Sequence, residues 1–285
     1  MATVNTNVNA TVAQNALAKN ERSMNTAMER LSTGKRINGA SDDAAGLAIS
    51  ARMTSQIKGL EASVKNANDA ISMIKVADGA MVEVGNMLQR MRELTVQAGN
   101  GTITTADRSY LSSEYVNLVA EIERIADNTQ WNGTNILNQA STASSTFAYQ
   151  VGANGGQTIS VNFGAIDQTS GSAFAVFAGS GANIAFAQVS AVANASQVLG
   201  HIDAAITELN EQRATFGAAV NQLTYAIDNL SNVKVNSEAA RSRIEDTDYA
   251  SETSELARTQ IIHQAGVAML AQANQVTATV LVLLR

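Results

Sequence analysis

The stretch 57-IKGLEASVKNANDAISMIKVADGAMVEVGNMLQRMRELTVQAGNG-101 decides the fold. Ile57, Leu60, Val64, Ala67, Ile71 and Ile74 recur in steps of three and four, the spacing that keeps one helix seam against a partner. The pattern slips once and resumes at Ala77, Met81, Val84, Leu88, Met91, Thr95 and Ala98, a slip expected to overwind the coil locally. Gly99-Asn100-Gly101 stops the helix as a C-cap should. Upstream, Ser41 followed by Asp42 and Asp43 reads as its N-cap and first charges. At about 1.5 Å per residue such a helix runs for roughly 80 Å, which suits a rod and not a globule.

Two further segments carry the same signature. Leu111, Tyr115, Leu118, Ile122 and Ile125 form a seam within a helix expected over 105–128. From about Ser196 the seam runs through Leu199, Ile202, Ile206, Leu209, Phe216, Val220, Leu223, Ile227 and Leu230, broken only by Arg213. Three seams from both halves of the chain predict an antiparallel bundle.

Between the helices, residues 129–195 hold one charge, Asp167, and many Gly and Ser. Gln157 to Phe163 alternates as a strand does, and Asn154-Gly155-Gly156 is a hairpin turn signal. The fold class is therefore mainly α: a long coiled-coil bundle formed by the N- and C-terminal segments, with a small β-rich insertion expected at the far end of the rod. Ser141 to Thr146 and Asp167 to Ser172 read as exposed loops.

At the ends, residues 11–33 show a weaker helical stripe (Leu17, Met24, Met28, Leu31) before Gly34 and Gly39. No Asp, Glu, Lys or Arg occurs from Thr259 to Leu284. Gln260, His263, Gln264, Gln272, Asn274 and Gln275 spread polarity along that segment and no cationic cluster flanks it, which argues against a membrane span. A helix burying most of its circumference against copies of itself fits better.

Composition agrees. Of 285 residues 45% are hydrophobic but only 4% aromatic, there is no Pro to interrupt long helices, and there is no Cys to make disulfides or thiolate metal sites. A net charge of −6 gives no basic footprint for nucleic acid. Met1 to Asn7 lacks the cationic and apolar regions of a Sec-type signal, so export would need another route.

The run Glu29-Arg30-Leu31-Ser32-Thr33-Gly34-Lys35-Arg36-Ile37-Asn38 with Asp42-Asp43-Ala44-Ala45-Gly46-Leu47-Ala48-Ile49 resembles the N-terminal signature of bacterial flagellins. Ser242-Arg243-Ile244-Glu245-Asp246-Thr247-Asp248-Tyr249-Ala250, Leu270-Ala271-Gln272-Ala273-Asn274-Gln275-Val276 and the ending Val280-Leu281-Val282-Leu283-Leu284-Arg285 resemble the C-terminal one. The likeness covers residues 1–138 and 196–285. Thr277 stands where many relatives have Pro, and Trp131 where Phe is common.

The resemblance implies a structural subunit that self-assembles into the helical flagellar filament used for swimming, exported unfolded through the flagellar type III apparatus and located outside the cell. It implies an inner domain from 1–42 with 243–285, an outer bundle from 43–139 with 196–242, and an outward insertion at 140–195. Implied partners are further copies of the chain, an export chaperone at the C-terminal segment, filament cap and hook-junction proteins, and the vertebrate Toll-like flagellin receptor. Filament core packing would fall to Leu270, Val276, Val280, Leu281, Leu283 and Leu284. Two rival readings are a hook–filament junction protein, and an enzyme or adhesin carried in the middle segment.

No catalytic, cofactor or metal constellation emerges, and no enzyme is expected. His201 and His263 are far apart and lack ligand spacing, with His201 expected on an exposed face. Asp42, Asp43, Glu245, Asp246 and Asp248 lack the alternating ligands of a Ca²⁺ loop. With Lys35, Arg36, Arg241 and Arg243 they are expected to fix the junction between domains and to make subunit contacts. Gln89, Arg90 and Leu94, with Glu114 on the following helix, resemble the segment by which flagellins are detected by that receptor; as residue types beside a seam they also suit subunit packing. Ser141, Thr142, Ser144, Ser145, Thr146, Thr169, Ser170, Ser172 and Ser180 are candidates for O-glycosylation.

Overall fold

A computed structural model describes residues 7–138, 146–164 and 192–283, with the side chains of 192–194 and 276–283 outside the description. Among the described residues five helices and four short strands follow in the order α1 (Val8–Thr33), α2 (Ala44–Ala98), α3 (Thr105–Asn128), β1 (Gln130–Trp131), β2 (Thr134–Asn135), β3 (Thr146–Gln150), β4 (Thr158–Asn162), α4 (Val192–Glu245) and α5 (Tyr249–Leu283). Contacts divide the chain into two compact units, 1–57 with 235–285 and 58–234.

In the 58–234 unit, α2 packs antiparallel to both α3 and α4. Arg90 meets Glu114 and Arg92 meets Asp203, while Asp78 meets Arg213 further along. The buried row on α2 is Ala67, Ala70, Ile74, Ala77, Met81, Val84, Leu88, Met91, Thr95 and Ala98, an unbroken alternation of three and four. Ala70 is fully buried where Ile71 was expected and is only half so, so the slip lies before Ala67 and not after Ile74. On α4 Val198 and Ala205 are buried, and the expected Leu199 and Ile206 beside them only half so. In both helices a small Ala takes the close-approach position and the larger neighbour fills the flank.

Helix α3 begins where Thr104 and Asp107 form a reciprocal capping box and ends at Thr129, whose N–H bonds the Ile125 carbonyl. Asn132 and Gly133, both with positive φ, turn β1 into β2. β3 and β4 pair antiparallel from Thr146↔Asn162 to Gln150↔Thr158, joined through the turn in which Gln157 donates to the Asn154 carbonyl.

That hairpin does not sit at the far end of the helices. Asn66 of α2 donates to the Gln150 carbonyl, Gln212 of α4 donates to the Asn162 carbonyl, and Gly59 closes on Ala153. Phe163, fully buried, contacts Phe147 edge-on at 5.3 Å and Phe216 of α4 at 5.2 Å between ring centres. A two-stranded hairpin is marginal alone in water, and this one places its apolar face on the bundle core.

In the other unit, α1 and α5 lie antiparallel. The α1 seam is Ala10, Ala13, Leu17, Asn20, Met24, Ala27 and Leu31; on α5 the half-buried and buried positions include Glu252, Leu256, Thr259, His263, Gly266, Leu270 and Ala273. Asn7 caps α1 by accepting from Ala10 N–H, and Gly34 (φ 71°) ends it in the left-handed conformation. Among the described residues no helix is long and apolar enough to cross a membrane.

Candidate subunit-interface surfaces

The expected charge cluster comes together, but mostly through backbone groups. A single bridge pairs Lys35 with Asp246. Arg36 N–H donates to the Glu245 carbonyl at 2.6 Å, and Thr247 N–H to the Gly34 carbonyl at 3.1 Å. The Arg36 guanidinium donates to the Ile244 carbonyl, closing over the end of α4, where the exposed carbonyls attract cations. One ion pair forms, Lys35 with Glu245. Arg241 donates to the Thr54 hydroxyl at 3.1 Å, and Arg243 to the Ala239 carbonyl on its own helix.

Ser41 is not the cap of α2. Asp43 is: its Oδ1 accepts from Gly46 N–H at 2.9 Å and its carbonyl from Leu47 N–H at 3.0 Å. Asp42 instead turns back, accepting from Asn38 and Gly39 N–H at 3.0 and 3.1 Å. Those two amides hold its carboxyl below the ordinary value of 3.8. Asp248 plays the corresponding part for α5, accepting from Ala250 N–H. Among the described residues no three carboxylate or histidine side chains gather as a metal site.

The Arg90 region is an exposed ion-pair face. Its Nε donates to Glu114 at 2.8 Å and Nη1 to Glu93 at 3.0 Å. Glu114 above all, then Glu93, raises the Arg90 pKa from its ordinary value. Gln89 is exposed beside it, and Val96, Tyr110 and Val116 leave apolar surface open on the same two helices. Leu94, grouped with them by sequence, is 0% exposed. It belongs to the bundle core and offers a partner no surface.

On the terminal pair, α5 shows Ile261 (67% exposed), Ile262, Val267 and Met269 (65%), and α1 shows Val8, Val12 and Met28. Leu270 is half-buried in the seam. The side chains of Val276, Val280, Leu281 and Leu283, and all of Leu284, lie outside the described residues, as do Ser141, Thr142, Ser144, Ser145, Thr169, Ser170, Ser172 and Ser180. Thr146 is described and exposed at the start of β3. His201, expected to be exposed, is half-buried, and His263 is half-buried in the α1–α5 seam.

The sequence signals missed most plainly were small. Asn132-Gly133 is a hairpin dipeptide that marks β1–β2, and Asn20, a surface residue by type, is buried in the terminal seam.

Residues 4–142 match the bacterial flagellin N-terminal helical region and residues 199–284 the C-terminal helical region. A flagellin of Halalkalibacterium halodurans is 42% identical over 99% of both chains. The flagellar filament 33 kDa core protein of Treponema phagedenis is 39% identical over 99% of both. A flagellin of Listeria monocytogenes is 36% identical over 95% of this chain and 96% of its own. The crystal structure of Bacillus cereus flagellin, 31% identical, covers 58% of this chain and 88% of its own at a TM-score of 0.48. The chain belongs to the bacterial flagellin family, structural proteins of the flagellar filament and not enzymes.

Proposed function

We infer that this flagellin polymerises through its terminal helix pair, with 1–42 and 243–285 as the inner layer of the filament and 43–139 with 196–242 as the bundle around it. The supporting observation is the exposed apolar surface of α5: Ile261, Ile262, Val267 and Met269 face three directions around a helix that α1 covers on one side only. Surface of that kind marks an association site. Leaving it in water costs about 25 cal/mol per Å², so burial against further copies drives assembly. The same reading brings export through the flagellar type III apparatus, a chaperone at the C-terminal segment, and contact with cap and hook-junction proteins. All four rest on family membership.

Purified chain mixed with filament seeds and followed by electron microscopy tests it. Wild type elongates the seeds, and Ile261→Asp, at a position 67% exposed, folds but does not elongate. Failure of the wild type under every salt condition overturns the reading.

A second reading, recognition of the monomer by the Toll-like flagellin receptor, is favoured by the exposure of Arg90, Glu114 and Gln89 on one face. The face then serves both subunit packing and the receptor.

A further inference from the structure

Helix α5 poses a recognition problem. Taking Thr259 as the zero direction at 100° per residue, Val267 lies near 80°, Ile261 near 200°, and Met269 and Ile262 near 280–300°. Apolar side chains therefore point every way, and hydrophobic burial alone gives α1 no reason to choose one face over another.

The face that α1 does use is marked by polar contacts on a single heptad line. Arg30 pairs with Glu252 at 3.7 Å. Asn20 donates from Nδ2 to the Thr259 carbonyl at 2.7 Å, in a site where Asn20 is 9% and Thr259 1% exposed. Asn7 donates from Nδ2 to the Ala273 carbonyl at 3.1 Å. Residues 252, 259 and 273 share one heptad position, and the fourth member of the line is Gly266, where a Cβ would come within 3.2 Å of Leu17. Thr259 and Gly266 are small enough to let α1 approach, and a carbonyl in a helix keeps a lone pair for an outside donor.

We propose that Asn20, with Asn7 and Arg30, selects the face of α5 on which α1 packs. Asn20 is the decisive member because it is the most deeply buried. Turning α5 so that Ile261 or Ile262 faces Asn20 puts a branched side chain over the backbone where Thr259 leaves its carbonyl open, and a buried amide without its partner is costly. A single buried Asn that fixes how coiled-coil helices pair, at some expense of stability, is a known device. The short link from Glu245 to Tyr249 holds the start of α5 in place, while the polar line sets its rotation.

The chain has no Cys, so introduced pairs report without background. Leu17→Cys with Gly266→Cys reports the observed face. Leu17→Cys with Ala268→Cys, about 200° around α5, reports the opposite one. In the full-length chain under mild oxidation, the first pair is expected to cross-link at least about tenfold more than the second. Adding Asn20→Leu is expected to bring the two yields within about threefold while helicity by circular dichroism is kept. Exclusive cross-linking to position 266 in the Asn20→Leu background overturns the proposal. So does loss of both cross-links there, since Asn20 then holds the pair together and does not choose its face. Asn20→Ala, which leaves space in place of an apolar side chain, guards against a steric cause: it must loosen the preference in the same direction.

Discussion

Arg213 on α4 and Asp78 on α2 meet across the bundle, the guanidinium Nε donating to the carboxylate Oδ1 at 2.8 Å. The pair explains why an arginine interrupts an otherwise apolar seam between Leu209 and Phe216. With side chains 39% and 42% exposed, water screens the attraction, and its coupling is expected to stay below about 1 kcal/mol. Arg213→Leu should therefore shift the thermal midpoint by only a few degrees in either direction. A double-mutant cycle with Asp78→Ala checks it, and a coupling above about 2 kcal/mol contradicts the screened picture.

Gly34 carries the turn between α1 and the junction at φ 71°, and a Cβ there would lie 3.0 Å from Tyr249 Oη. Gly34→Ala is expected to cost about 1–2 kcal/mol, from the left-handed backbone and the displaced phenol together. Gly101→Ala, where an added Cβ meets nothing within 4 Å, is the matched control and should stay within about 0.5 kcal/mol. Chemical denaturation of the two variants decides. Equal midpoints would mean that Gly34 is not needed for its conformation.

Much of this was legible in the sequence, and the misses have a common physical origin. Helix α3 was found at its observed bounds because a five-member seam defines it and local caps end it. Hydrophobicity favours Ile71 over Ala70 for the α2 seam. Close packing favours the smaller residue, and Ala70 took the position. Ser41 and Asp43 are equally good caps on paper. Asp42, by gathering the Asn38 and Gly39 amides, shapes the turn so that Asp43 becomes the cap. The partners of Arg36 and Arg241 are a carbonyl and a hydroxyl about 190 to 210 residues away in the chain. No local pattern encodes such pairings.

Asp42 gives a pH prediction. Its folded pKa is lowered chiefly by the Asn38 N–H and then by the Gly39 N–H. A lowered folded value means that its contribution is present above the ordinary carboxylate range and is lost as pH falls through the folded value, so the loop 38–42 loosens only below pH 3.8. A carboxyl titration by NMR should place its midpoint under 3.8, and the Asn38 and Gly39 amide shifts should follow the same curve. In Asp42→Asn those amides should show no such step. A midpoint at or above the ordinary value removes the two hydrogen bonds from the account.

Tyr149 gives the alkaline counterpart. Its hydroxyl donates to Met73 Sδ, and burial pushes the phenol from 10.0 up to about 12. A raised folded value means that stability is intact below pH 10 and is lost as pH rises toward 12, since the unfolded phenol ionises first. Burial raises Tyr115 as well, so two late-ionising phenols are expected in the same unit. Tyrosinate absorbance of Tyr149→Phe, subtracted from wild type, should show the missing phenol titrating near 12. A difference curve centred at 10 would place Tyr149 in water.

Arg90 and Leu94, four residues apart on α2, separate recognition from stability. Arg90 is 49% exposed and its partner Glu114 45%, so Arg90→Asp exchanges two ion pairs that water already screens for repulsion and should leave the fold intact. Leu94 is fully buried, and Leu94→Ala should cost about 2–5 kcal/mol through the cavity it leaves. If the Arg90 face is read by the receptor, purified Arg90→Asp monomer signals weakly although it is folded. Leu94→Ala then loses signal only in proportion to the fraction unfolded. Receptor-reporter assays on monomers of known foldedness make the comparison, with seeded elongation run in parallel. Normal signalling by folded Arg90→Asp would sink the receptor reading. Normal elongation by the same variant would remove this face from subunit packing, leaving the α1–α5 surface as the site of assembly.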